Sequence, residues 1–330
     1  MKQGTFIARH EREWERLEAW LDPKAPRKKG ADTGGSRKPL RTEEFPHAYR
    51  RLCQQLALAR TRAYSPQLVD RLQALVEAGH RRFYRTRRPE WRKVRQFVAR
   101  DFPSLVRREW RHMLTSALLL YGPMLVMVLL TRQKPQLIYS IYPPEMVSEY
   151  QSMYDPSQHT QMIGRASTSD LGAFGFYVMH NVSIGFQTMA GGLFAGIGSL
   201  FALFTNGLMI GSVAGYLTAL GYGGTFWTFV SSHSAWELSA IVISGGAGLK
   251  LGWALLAPGR ASRGSALIAA GRDAALLALG AFLMLVVAAF IEAYWSSIVW
   301  MPAAMKYGTG AVMWIVVLTW LGAGGRHATR

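Results

Sequence analysis

The pattern of apolar positions changes character near residue 113 and divides the chain in two. In the first part apolar residues recur at helical spacing. Phe6, His10, Trp14, Leu17 and Leu21 share one stripe, with Glu and Arg covering the other faces, which predicts a surface helix. Phe45, Tyr49, Leu52, Leu56 and Ala59 mark a second. Ser65-Pro66 then reads as an N-cap and first-turn pair opening a helix with Leu68, Leu72, Leu75 and Phe83 inward. Pro89 ends it, and a further segment, Trp91 to His112, is interrupted at Asp101-Phe102-Pro103. Residues 22–41 hold four Lys, three Arg, three Pro and three Gly with few large apolar side chains, so a flexible loop is expected there.

From Met113 to Thr131 the sequence is almost continuously apolar, about 19 residues, enough to cross a hydrocarbon layer of roughly 30 Å. Further apolar stretches follow at 171–190, 192–217, 226–257 and 274–295, and a shorter one closes the chain, reaching 308–322 when extended through its flanks. The fold class is therefore an all-α integral membrane protein. A basic cytoplasmic helical bundle over 1–112 precedes about six transmembrane helices over 113–330, with an outer loop at 132–170. Five spans and a re-entrant end are the alternative count.

Charge sharpens this division. Residues 1–112 carry 28 Lys and Arg against 13 Asp and Glu, leaving only 10 against 7 for the rest, so +15 of the net +18 lies in the first third. Short cytoplasmic loops collect Lys and Arg, which sets the N-terminus inside; six crossings then place Arg260, Arg263, Arg272 and the C-terminus inside as well. Tyr222, Trp227, Trp295 and Trp300 fall near the outer ends of spans, and Trp110, Trp253 and Trp320 near the inner ends, as interfacial aromatic residues do. The opening residues lack an uninterrupted apolar core, so no cleaved secretory signal is expected. Cys53, the single cysteine, excludes an intrachain disulfide, a thiolate zinc cage and an iron–sulfur cluster.

Two sets of residues within the spans stand out. Small residues recur every fourth position: Gly192 and Gly196; Gly207, Gly211 and Gly215; Ser244, Gly248 and Gly252. Such stripes let helix backbones approach closely, within one chain or between two copies. The second set is polar. With the outer surface near Phe226, Glu237 lies roughly 16 Å deep at about 1.5 Å per residue, close to the midplane, and His233 is one turn away on the same face. His180 and Asn181 in the second span and Asn206 in the third reach a similar layer. A carboxylate there costs a few kcal/mol and needs a partner. The layer reads either as a proton, ion or substrate site, or as a hydrogen-bond network fixing helix register. Two metal ligands at i, i+4 are present, but the HExxH order is not and no third ligand is evident, so no metal and no cofactor is expected.

The basic segment around Arg81, Arg82, Arg85, Arg87, Arg88, Arg92, Lys93 and Arg95 is expected to lie against anionic lipid headgroups or an acidic protein partner. Its interleaved aromatic residues also suit nucleic acid, a partner that a membrane tether disfavours. No serine elbow, Walker loop or dinucleotide fingerprint is present.

The stretches MHNVSIGF, LFTNGLMIG and HSAWELSAIVISGGAGLKLG, with His233-x-x-x-Glu237-Leu238 and Asn206-Gly207 the most telling elements, resemble the stage II sporulation protein M family of bacterial multi-pass membrane proteins. Residues 46–85 are similar to the cytoplasmic extension of its longer, non-sporulation members. Ser234 stands where the family has Gly, and His180 where an Asn pair is common. The resemblance implies a bacterial inner-membrane scaffold or anchor rather than an enzyme, its sporulating member anchoring a peptidoglycan-degrading complex. Envelope or cytoplasmic proteins, or a second copy, are the implied partners. A transporter using the polar layer is the alternative, and an intramembrane hydrolase a third.

Overall fold

The computed structural model describes residues 2–21, 40, 41, 43–83, 91–157 and 167–326. Most of the loop expected over 22–41 lies outside these residues, as do Arg85, Arg87 and Arg88. The described residues are helical apart from short turns, and they fall into two compact units, residues 1–90 and 91–330.

The first unit holds α1 (Gln3–Leu21), α2 (Phe45–Thr61) and α3 (Pro66–Phe83). Their apolar stripes meet as the periodicity predicts: Phe6, Trp14 and Leu17 of α1, Leu52 and Leu56 of α2, and Leu68 and Leu72 of α3 are buried together. One polar side chain enters this core. Gln55 accepts a hydrogen bond from the Trp14 indole at 2.6 Å and donates to Glu13 at 3.2 Å, so neither buried polar group is left unsatisfied. Arg71 of α3 bonds Glu11 and Glu18 of α1 at 2.8 and 2.9 Å. The Ser65 hydroxyl accepts from Gln3, and its amide donates back to the Gln3 side chain. Arg81 and Arg82 are exposed in the last turn of α3, where Arg82 also lies 4.9 Å from the centre of the Trp20 ring.

Composition changes at residue 113, but the second unit begins at Trp91. Its first elements are α4 (Trp91–Gln96), a π-helical turn at Phe97–Asp101 and α5 (Phe102–Arg108). Burial of Phe102 and Leu105 among apolar residues of the later helices explains the difference, since a basic segment with two well-placed apolar side chains still joins an apolar core. Arg92, Lys93 and Arg95 are exposed on α4. There follow α6 (Trp110–Gln133), α7 (Pro144–Tyr154), α8 (Ser167–Ala190), α9 (Ile197–Ala219), α10 (Gly223–Val230), α11 (Ser234–Leu256), α12 (Arg263–Ile291, extended by a π-helical turn to Ser296) and α13 (Ala303–Ala323).

Among the described residues five helices are long and apolar enough to cross a membrane: α6, α9, α11, α12 with its extension, and α13. The sixth expected span, α8, has the length, but His180, Asn181 and Gln187 interrupt its apolar run, and it packs against α11 and α12. The closing segment is a full 21-residue helix, extended backward through Lys306. The stretch 226–257, which reads as continuous, is broken at residues 231–233 into α10 and α11, and the helix expected from 192 begins only at Ile197, after a tight turn at 191–196 that separates α8 from α9. Gly192 and Gly196 therefore belong to a turn, Gly196 with φ 85°, and not to a helix stripe. The segment 135–154, expected as a loop, contains α7 and buries Ile138, Tyr142, Val147 and Tyr154 against α9 and α10.

Two glycine seams hold the bundle. A Cβ on Gly207, Gly211 or Gly215 of α9 would collide with the carbonyl oxygens of Leu120, Met124 and Val128 on α6, so backbones touch at three successive turns. On the other side, Gly192 meets the backbone of Gly248, and Gly252 that of Gly196. Ser199 closes the turn by donating to the Thr188 carbonyl at 2.6 Å. These contacts lie within one chain. Gly248→Leu is expected to abolish the folded state or lower its thermal midpoint by more than any surface change, whereas Gly264→Ala, which meets nothing within 4 Å, should leave it unchanged; thermal unfolding in detergent reads both.

At one end of α11, Lys250 bridges Glu109 at 2.5 Å and Asp273 at 2.8 Å, and Arg108 also reaches Asp273 at 2.6 Å. Lys250 and Asp273 are thus joined in a partly buried network. Burial is the largest single influence on the Glu109 pKa and acts to raise it, but the hydrogen bond and charge of Lys250, with Arg108 and His112, together outweigh it and hold the carboxyl below its ordinary value. A carboxyl with a depressed folded pKa stabilises the protein above its unfolded pKa, and this is lost as pH falls through the folded value. Glu109→Gln should cost about 1–3 kcal/mol at pH 7. The difference in thermal midpoint from the unsubstituted protein should shrink steadily from about pH 5 downward as Glu109 protonates.

Candidate functional site

The other end of α11 carries the polar cluster. The chain turns at 231–233, and the His233 carbonyl accepts the amides of Trp236 and Glu237, opening α11. Glu237 is consequently in the first turn of its helix and not at the middle of a longer one. His233 is almost fully buried, with its Nε2 3.6 Å from a Glu237 carboxylate oxygen. Its Nδ1 is hydrogen-bonded to the Ser296 hydroxyl at 3.0 Å, which fixes the ring and aims Nε2 at the carboxylates. The Phe229 ring packs edge-on against it.

A second acid completes the group. Glu292 begins the π-helical turn that ends α12, and His233, Glu237 and Glu292 each offer a ligand atom within 4.8 Å of the other two. Glu292 accepts a hydrogen bond from buried Asn181 of α8 at 3.4 Å. Three helices thus meet at one point, with Lys306 of α13 beside them: its ammonium donates to the Ser296 carbonyl at 2.8 Å, and its own carbonyl accepts from Ser232. Tyr154 of α7 covers the same end, packing on Phe226 and Phe229. Its phenol pKa is raised first by burial and then by the charge of Glu292.

Of the five residues expected in a polar layer, His233, Glu237 and Asn181 come together. Two do not. His180 is exposed on α8 and stacks on Phe176, because it follows Phe176 by one turn on a face turned away from α11. Asn206 donates to the Ala202 carbonyl of its own helix at 2.7 Å. Sequence reasoning misses Glu292, Ser296, Lys306 and Tyr154. The spacing of Glu292 and Ser296 was a usable signal of a shared face, but the cover supplied by α7 was not readable from it.

Ser296→Ala removes the partner of a buried imidazole nitrogen and should lower stability by about 1–3 kcal/mol. His180→Ala should change it by less than about 0.5 kcal/mol, as exposed positions do. Thermal unfolding of the two purified variants gives the comparison, and equal effects would refute the placement of the site.

No curated protein and no solved structure matches the chain. Residues 4–85 match the model of a domain of unknown function (DUF8413), which spans the three helices of the first unit. The model of stage II sporulation protein M matches residues 115–297, from α6 through the turn bearing Glu292 and Ser296. That match covers more than half of the 330 residues, and the chain is a multi-helix membrane protein belonging to the stage II sporulation protein M family, which is not known as a family of enzymes.

Proposed function

We propose that the protein is a membrane-embedded scaffold of the bacterial inner membrane that assembles envelope or cytoplasmic partner proteins through its separately folded basic unit. The observation that carries this reading is the distribution of polar groups along α11. The Lys250 network and the Glu237 cluster are 13 residues apart, about 20 Å of helix. Between them run the glycine seams, and three polar side chains there are turned to backbone carbonyls: Ser116 donates to Val242, Asn206 to Ala202 and Ser199 to Thr188. A conduction or carrier path needs an open route through the bilayer lined by groups that can bind and release the solute. Backbone-to-backbone packing instead favours a rigid platform, because helices in such contact cannot slide without collision.

The basic unit suits recruitment. It has its own apolar core, and Arg81 and Arg82 are exposed at the end of α3, where they can meet anionic headgroups or an acidic partner. The excess of Lys and Arg in this unit supports a position on the cytoplasmic side.

Two measurements on the full chain test the reading. Crosslinking in cells should capture a reproducible partner set that survives Glu237→Gln and is depleted at least tenfold by Arg81→Glu with Arg82→Glu. Reconstituted vesicles should show no saturable ion or solute flux. Flux that Glu237→Gln abolishes while the fold persists would overturn the scaffold in favour of a transporter.

A further inference from the structure

We infer that His233, Glu237 and Glu292 form a binding site for one divalent transition-metal cation, of the class that includes Zn2+, Mn2+ and Fe2+. The three ligand atoms come from two helices and the turn between α10 and α11, and all lie within 4.8 Å of one another. Two ligands of one tetrahedral ion, each at about 2.1 Å, stand about 3.4 Å apart. The 3.6 Å between His233 Nε2 and Glu237 matches that spacing and is longer than a hydrogen bond between the same atoms. The widest pair closes on an ion by a small rotation of a glutamate side chain.

The surroundings are those of a ligand set. A metal-binding imidazole has its second nitrogen fixed by a hydrogen bond, and Ser296 supplies that bond to Nδ1. A metal-binding carboxylate is likewise held from outside, and Asn181 holds Glu292. Two ionised carboxylates this close in a largely apolar region repel each other, which favours a shared proton or a bound cation. A dication neutralises both acids. The imidazole selects against Mg2+ and Ca2+, which take all-oxygen sets, and the absence of a thiolate from the group excludes a soft-metal site. Bound there, the ion ties α11 to α12 and, through Asn181, to α8.

The test uses the full chain purified in detergent without a polyhistidine tag. Elemental analysis and equilibrium dialysis against Zn2+ and Mn2+ should find about one equivalent per chain in the unsubstituted protein and in His180→Ala. Glu292→Gln and Glu237→Gln, which keep side-chain size, should each weaken retention at least tenfold. X-ray absorption at the zinc edge of the unsubstituted protein should report one imidazole with oxygen ligands and no sulfur, and this readout needs no variant to fold. Less than about a tenth of an equivalent in the unsubstituted protein, unchanged binding in both glutamine variants, or a spectrum with two or more imidazoles would overturn the site. The outcome is independent of the scaffold reading, which stands or falls on partner capture and flux.

Discussion

Helices surrounded by lipid gain nothing by hiding apolar side chains from one another, since the tails are equally apolar, so something other than burial must join them. In this protein that role falls to close backbone contact. Gly207, Gly211 and Gly215 bring α9 onto the carbonyls of α6, while Gly248 and Gly252 bring α11 onto the turn at Gly192 and Gly196. Such contacts fix the register of α6, α8, α9 and α11 to within a side chain's width, because a shift of one turn would drive a Cβ into a carbonyl oxygen. The polar groups depend on that register.

With the seams in place, α11 presents charge at both ends. Lys250 is tied to Glu109 and Asp273, and Glu237 stands with His233 and Glu292. Each network joins elements distant in sequence, and each sits where a helix begins or ends. α7 adds a cover over the second network: Tyr154 reaches Phe229, and Phe229 reaches His233. A chain of ring contacts thus links the segment after the first span to the turn that opens α11. The cluster is a convergence of α8, α11 and α12 under a lid of aromatic residues, with the glycine contacts beneath it.

The first unit obeys a different rule. Its three helices carry true amphipathic stripes, and Trp14, Leu52 and Leu72 bury themselves away from water in the ordinary way. The same chain therefore uses two solvents and two means of cohesion, and its basic surface belongs to the part that remains in water.

The sequence alone determined the helical class, the membrane-crossing character of its second part and the apolar faces of α1, α2 and α3, because each of these is a local property of period or composition. It also pointed to His233 and Glu237, since a charge in an apolar run is visible wherever it occurs. Contacts between distant segments were beyond its reach. Nothing local says that Phe102 joins the core of α11 and α12, that Asn206 turns back to its own helix, or that a break at 231–233 moves Glu237 to the first turn of α11. The pairing of Glu292 with Asn181 and His233 was decided only by tertiary structure, because it depends on how closely helices more than fifty residues apart in the chain can approach.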